Sequence, residues 1–210
     1  MGVENNNEQA TLRQDIYLLL ASLFRQAPAP ELIAFVAELD IEESESAMQK
    51  AWLALKQAAV ESDQEALEDE YQNLFIGIGR GEVMLFGSWH MAGALMEKPL
   101  ADIRQDLQLL GFERSEEVKE PEDHIAALCE VMAMLTEEES ATQQLFFNKH
   151  LSPWFESLAT QIEQAKNAKF YLAVAQLLRA FGTVEQVQFS KNVKSKTHLK
   201  IDVKNVTEYE

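Results

Sequence analysis

Cysteine is nearly absent from this chain. Cys129 stands alone, so no internal disulfide and no cysteine cage for zinc can form, which suits a reducing compartment. Positive charge is also scarce: 18 Lys and Arg face 35 Asp and Glu, giving a formal net charge of -17. Nucleic acid is disfavoured as a partner, because phosphate neutralisation by Lys and Arg dominates that binding. A cationic ligand is favoured instead, with steering that weakens as salt rises. No apolar run approaches the roughly 20 residues that cross a bilayer. Met1 to Gln9 are polar and Asn-rich, without the basic start and apolar stretch of a signal peptide, so they read as a frayed end of a cytoplasmic protein.

The residues present are helix-forming in pattern, and 210 of them suffice for one core. Leu12, Ile16, Leu19, Leu20, Leu23 and Phe24 recur at helical spacing, and Pro28 with Pro30 ends that helix and opens another through Leu39. Met48, Trp52, Leu55 and Ala59 form a third stripe. Ser62 with Glu65 resembles a capping box ahead of Leu67, Tyr71, Leu74 and Phe75. Pro99 opens a helix through Leu110, with Gly111 placed for a left-handed cap. Ile125, Leu128, Cys129, Met132 and Leu135 continue the pattern, with Cys129 on the apolar face as core packing. Ser140 with Gln143, then Ser152-Pro153, open the next two helices. Phe170, Val174, Leu177, Leu178 and Phe181 line the last, closed by Gly182. The expected fold is an all-α, single-domain helical bundle over residues 10–183, with a frayed start at 1–9 and a mostly irregular, Lys-containing tail at 184–210.

Two stretches interrupt the helices. Gly77 to Gly87 is too glycine-rich for a helix and too apolar for an idle loop, so it is expected to cover either its own core or a ligand. The tail carries Lys191, Lys194, Lys196, Lys200 and Lys204, and only Leu199, Ile201 and Val203 alternate as a strand would. It reads as a mobile segment whose charge could draw it back onto the acidic body.

The pentapeptide Glu120-Pro121-Glu122-Asp123-His124 precedes the Ile125 stripe. Proline at a first helical position sacrifices no hydrogen bond, so Pro121 is read as the helix start. Acids there gain about 0.3–1 kcal/mol each from the helix dipole. His124 gains nothing as a cation; it stays neutral, pairs with Glu120 or Asp123, or serves a ligand. Catalytic patterns are missing. None of His90, His124, His150 or His198 follows a Glu by three residues, His-Glu-x-x-His is absent, and the glycines match no phosphate loop.

Glu70-Tyr71-Gln72-Asn73-Leu74-Phe75-Ile76-Gly77, then Ser88-Trp89, Gly111 and Glu120 to His124, in this order and spacing, resemble the TorD/DmsD family of redox-enzyme maturation chaperones. The likeness covers about Asp15 to Gly182. It implies a TorD-like all-helical, non-enzymatic, cytoplasmic chaperone without a cofactor. Its implied partner is the apo catalytic subunit of a molybdopterin oxidoreductase, held through a twin-arginine signal peptide until the molybdenum cofactor is inserted. It also leaves open weak GTP binding, a monomer or a domain-swapped homodimer, and a nitrate-reductase-type assembly factor that grips a segment lacking the arginines. Met84-Leu85-Phe86-Gly87 departs from the proline usual before Ser88. Lys98-Pro99-Leu100 and Ile125 to Leu135 resemble the formate-dehydrogenase branch; the client itself is not encoded in any motif.

A receptor for a basic, apolar leader needs carboxylates beside a greasy groove. The signal-peptide-binding residues expected from the resemblance and this chemistry are Tyr71, Leu74, Phe75, Phe86, Ser88, Trp89, Glu120, Pro121, Asp123 and His124, with Asp69, Glu70 and Glu122 as further acids that could meet arginine. Tyr71, Leu74 and Phe75 also have the spacing of a buried stripe, and Glu122 that of a solvated acid. Asp123 and His124 are read as direct contacts, His90 as a surface residue.

Overall fold

The computed structural model describes residues 2–77, 80–115 and 118–190, with side chains from residue 10 onward. Helix α7 (Ile125–Leu135) is its axis, because the sequence gives that helix almost no polar face: Ile125, Ala126, Leu128, Cys129, Val131, Met132, Ala133 and Leu135 are all buried. A helix apolar on nearly every side is stable only among other helices. Against it lies α1 (Gly2–Arg25), which buries Ile16, Leu20, Leu23 and Phe24. Helix α10 (Phe170–Ser190) packs on α3 (Ala47–Glu61) and α9 (Phe155–Gln164). Around these sit α2 (Pro30–Glu38) on α3, α8 (Ser140–His150) on α7, and α5 (Gly87–Ala92) beside α6 (Lys98–Leu109). Helix α4 (Gln64–Tyr71) runs directly into a π-helical turn, Gln72–Ile76.

The all-α bundle is as expected. Among the described residues no strand forms, and a single antiparallel bridge joins Phe86 to His124. No helix among them is long and apolar enough to cross a membrane. Pro30 sits in the first turn of α2, Pro99 in that of α6, and Gly111 adopts φ +76° beyond α6. Cys129 is buried, and burial pushes its thiol pKa well up.

Several boundaries differ from expectation. The cap of α4 is Asp63, whose carboxylate accepts from Ala66 N, while Ser62 closes α3 by donating to Ala59 O at 2.9 Å. Glu139 precedes α8, and Gln143 lies too deep to cap it, its amide bonding Thr136 O and Glu138 O. Ser152-Pro153 lies in a turn ahead of α9, which begins at Phe155. The Asn-rich start lies within α1, which begins at Gly2. Gly182 does not close α10: it makes room for the Phe155 ring, since a Cβ there would come within 2.5 Å of Phe155 Cε2. The helix continues to Ser190 and buries Glu185 and Phe189, so residues 184–190 belong to the bundle. The tail lysines, the Leu199 to Val203 alternation and His198 lie outside the described residues.

Pro121 is not the first residue of α7. Residues 120–123 form a turn, and the helix starts four residues later than expected, with His124 as its N-cap.

Candidate functional site

The chain folds back on itself after the π-helical turn. Gly77, at φ +63°, donates its N–H to Gln72 O at 2.7 Å, and Val83 N donates to Leu74 O at 2.8 Å. Gly81 passes so close beneath that a Cβ would stand 2.5 Å from Leu74 O. From residue 80 on, the glycine stretch therefore packs on that helix end and sends Val83 and Leu85 into the core. From there it reaches the turn ahead of α7: Ile125 N donates to Leu85 O and Gly87 N to Asp123 O, both at 2.8 Å. The Phe86 ring meets His124 edge-on at 5.2 Å. Sequence positions 71–89 and 120–125 thus converge at one end of the bundle.

Asp123 and His124 face inward there. The Asp123 carboxylate is buried and accepts from Ser88 N at 2.8 Å, fastening the start of α5 to the turn. Ser88 is fully buried, and its Oγ has no hydrogen-bond partner. His124 Nδ1 accepts from Ala126 N at 3.1 Å, so this nitrogen carries no proton and acts as the cap of α7. Burial, and then the charge of Arg25, lower the His124 pKa to about 3. The unfolded chain takes up a proton near the ordinary histidine value of about 6.5 that the folded chain refuses. The stability due to the neutral ring is therefore complete above that value and declines by about 1.4 kcal/mol per pH unit below it. His90 and His150, also lowered by burial, add in the same direction. Urea midpoints should fall from about pH 7 to about pH 5, and less steeply in His124→Asn, which keeps a capping side chain; equal slopes would assign the titration elsewhere.

Tyr71, Leu74 and Phe75 form the wall beneath. Leu74 is fully buried, whereas Phe75 is half-buried. Phe75 meets Tyr71, Phe24 and Tyr171 edge-on at 5.1, 6.1 and 4.8 Å. Tyr71 OH donates to Phe24 O and Tyr171 OH to Leu23 O, satisfying carbonyls at the end of α1. Burial, then Glu120, push the Tyr71 pKa up to about 12.

The acids are largely engaged by the chain itself. Glu70 is buried and accepts from Lys169 N, Phe170 N and Tyr171 N at 2.7, 3.1 and 2.9 Å, capping α10. It does not face solvent to meet a ligand. Glu122 accepts from Arg104 Nε at 2.9 Å. Asp69 is exposed on α4. Arg25 was not apparent from sequence as a site residue, though it closes the apolar stripe of α1. Its Nη2 bonds Glu130 Oε2 at 2.6 Å, and its buried Nη1, without a hydrogen bond, lies 3.9 Å from Glu120 Oε2. Its charge is felt by both Tyr71 and His124. Glu120 and Glu130 stay about half exposed, leaving two carboxylates around one guanidinium.

Trp89 is half-buried, with the Arg80 guanidinium 4.2 Å from its ring centre. His90 is not an ordinary surface residue. It stacks on Trp154 at 5.1 Å, its Nε2 lies 2.7 Å from Met84 O and its Nδ1 2.9 Å from Ser157 Oγ. Below the turn a hollow of about 270 Å³, lined by Arg104, Leu107, Phe112, Arg114 and Glu122 among others, meets the sequence-derived set only at Glu122. Among the described residues, no group of three or more His, Cys, Asp or Glu is arranged to hold a metal.

The sequence profile of the nitrate reductase delta subunit family matches residues 41–160. A TorD chaperone protein of Actinobacillus succinogenes is 25% identical over 152 residues, covering 71% of this chain and 78% of that protein. A TorD chaperone of Shewanella piezotolerans is 26% identical, covering 86% and 94%. A DmsD-type Tat proofreading chaperone of Haemophilus influenzae is 26% identical, covering 62% and 64%. A crystal structure from Archaeoglobus fulgidus, described as a redox enzyme maturation protein, superposes with a TM-score of 0.55 over 83% of this chain and 93% of that one, at 22% identity. That likeness speaks for the fold.

Proposed function

The chain belongs to the nitrate reductase delta subunit family, within its TorD/DmsD group of redox-enzyme maturation chaperones, and from that premise we propose that it binds the twin-arginine signal peptide of an apo molybdopterin oxidoreductase. It works in the cytoplasm, without catalysis, and holds the client back from export until the molybdenum cofactor is in place.

The observation that carries this reading is the surplus of carboxylate at one ring-lined end of the bundle. Glu120 and Glu130 stand about half exposed around Arg25, beside Tyr71, while Phe86 is bound to the same turn and Trp89 follows on α5. Ile76 and Met91 leave apolar surface exposed on the adjoining segments. A peptide with an arginine pair ahead of an apolar run matches both properties. Asp123 and His124 then support the site from beneath, because both are buried and each already holds a backbone N–H, Asp123 Oδ2 that of Ser88 and His124 Nδ1 that of Ala126.

Calorimetry with such a synthetic peptide provides the test. Glu120→Gln and Glu130→Gln should each weaken binding by about 1 kcal/mol, roughly fivefold, in keeping with half-exposed charge pairs. Added salt should weaken it further. Equal affinity for a peptide with both arginines changed to alanine would sink the twin-arginine reading. That result would favour the second reading, an assembly factor gripping an arginine-free N-terminal segment, which the match to the nitrate reductase delta subunit family supports.

A further inference from the structure

We propose that the face of Trp89 is a guanidinium subsite of the peptide site, and that Arg80 fills it as a placeholder which the ligand's own arginine displaces. The proposal rests on the peptide-binding reading above. Arg13, Arg25, Arg104 and Arg179 are each bonded to glutamate carboxylates. Arg80, in a chain with a twofold excess of acid, engages no carboxylate among the described residues; its guanidinium lies over the Trp89 ring, 4.2 Å from the centre. Trp is the aromatic face best suited to a guanidinium, and the planar cation stacks where an ammonium cannot.

The backbone explains why this arginine is at this ring. Gly77 is clamped to Gln72 O, and Val83 to Leu74 O. A Cβ at Gly77 would stand 2.2 Å from Arg80 O, and one at Gly81 would strike Leu74 O, so side chains are excluded on both sides of position 80. The Arg80 carbonyl and the Gly81 backbone are therefore held against the end of the π-helical turn, while the Arg80 side chain remains exposed. Trp89 is anchored independently, through Ser88 N on Asp123 and Gly93 N on Trp89 O. The ring stays in place when Arg80 leaves. An exposed stacking contact is weak enough for a second guanidinium, arriving with an apolar segment behind it, to take over the ring.

The same calorimetric titration, run on Arg80 and Trp89 variants, tests this. Arg80→Ala should tighten binding of the arginine-pair peptide about two- to fivefold, the equivalent of one exposed stacking contact. Lys50→Ala, which removes an equal charge from an exposed site on α3, should leave affinity unchanged. Trp89→Leu should weaken binding, and in that background Arg80→Ala should have no effect. A fall in affinity on Arg80→Ala, or none of these changes, overturns the placeholder. A readout without the peptide separates this from the parent reading. In Arg80→Ala the Trp89 indole N–H resonance should titrate with N-acetylarginine amide. If the resonance shifts while the arginine-pair peptide fails to bind, the subsite stands and the signal-peptide reading falls. If the resonance does not shift, the subsite is refuted.

Discussion

Glu185→Ala is expected to lower the unfolding free energy by about 3–5 kcal/mol, the cost typical of breaking a buried charge pair from one side. Glu185 lies fully buried in α10, accepting from Arg13 Nε at 2.8 Å, Arg13 Nη2 at 2.7 Å and Tyr17 OH at 2.7 Å. Its removal strands the Arg13 guanidinium, whose side chain is only 14% exposed, with Gln143 Oε1 as its remaining acceptor. Urea unfolding of the single variant should show the loss as a shifted midpoint with an unchanged slope. A combined Arg13→Met, Tyr17→Phe, Glu185→Leu variant should recover most of it, because an apolar replacement leaves no charge behind. If the single variant unfolds like the parent, water reaches this network and it contributes little.

Glu70→Ala is the second large effect, at about 3 kcal/mol or more. It leaves three backbone donors without an acceptor, Lys169 N, Phe170 N and Tyr171 N, each costing about 1–3 kcal/mol when buried. It also removes the anion from the positive end of α10. Glu70→Gln, which keeps one good acceptor, should lose roughly half as much. A Glu70→Ala protein that keeps its stability but no longer binds an arginine-bearing peptide would return Glu70 to the ligand-facing surface.

These two residues show what a single sequence discloses and where it stops. The helices were legible because their apolar stripes repeat, and the stripe of α7 already began at Ile125. The rule that proline favours a first helical position overrode it. What the pattern lacked was the capture of Asp123 by Ser88, 35 positions earlier, which holds the preceding residues in a turn. His124 as an N-cap was also hard to see, since Ser, Thr, Asp and Asn are the usual residues there. At Gly182 a cap and a packing notch look alike in sequence; Phe189, on the same face as Phe181 and Glu185, was the sign that the helix went on. The convergence of the Tyr71 and Glu120 segments was anticipated. The occupation of their acids was not, because the glutamates reach Arg25, Arg104 and the start of α10 from far along the chain.

The cap of α10 has a bearing on assembly. Glu70 and its three donors are about a hundred positions apart, and Tyr171 reaches back a further fifty to Leu23. Contacts of such separation form late, after the cost of closing the intervening loop. On the ribosome about four-fifths of the chain, up to Lys169, is made before α10 begins. Until then Tyr71 and Phe75 lack the Tyr171 ring they lean on, so this end of the bundle is completed only once α10, about a hundred positions further along the chain, has been made.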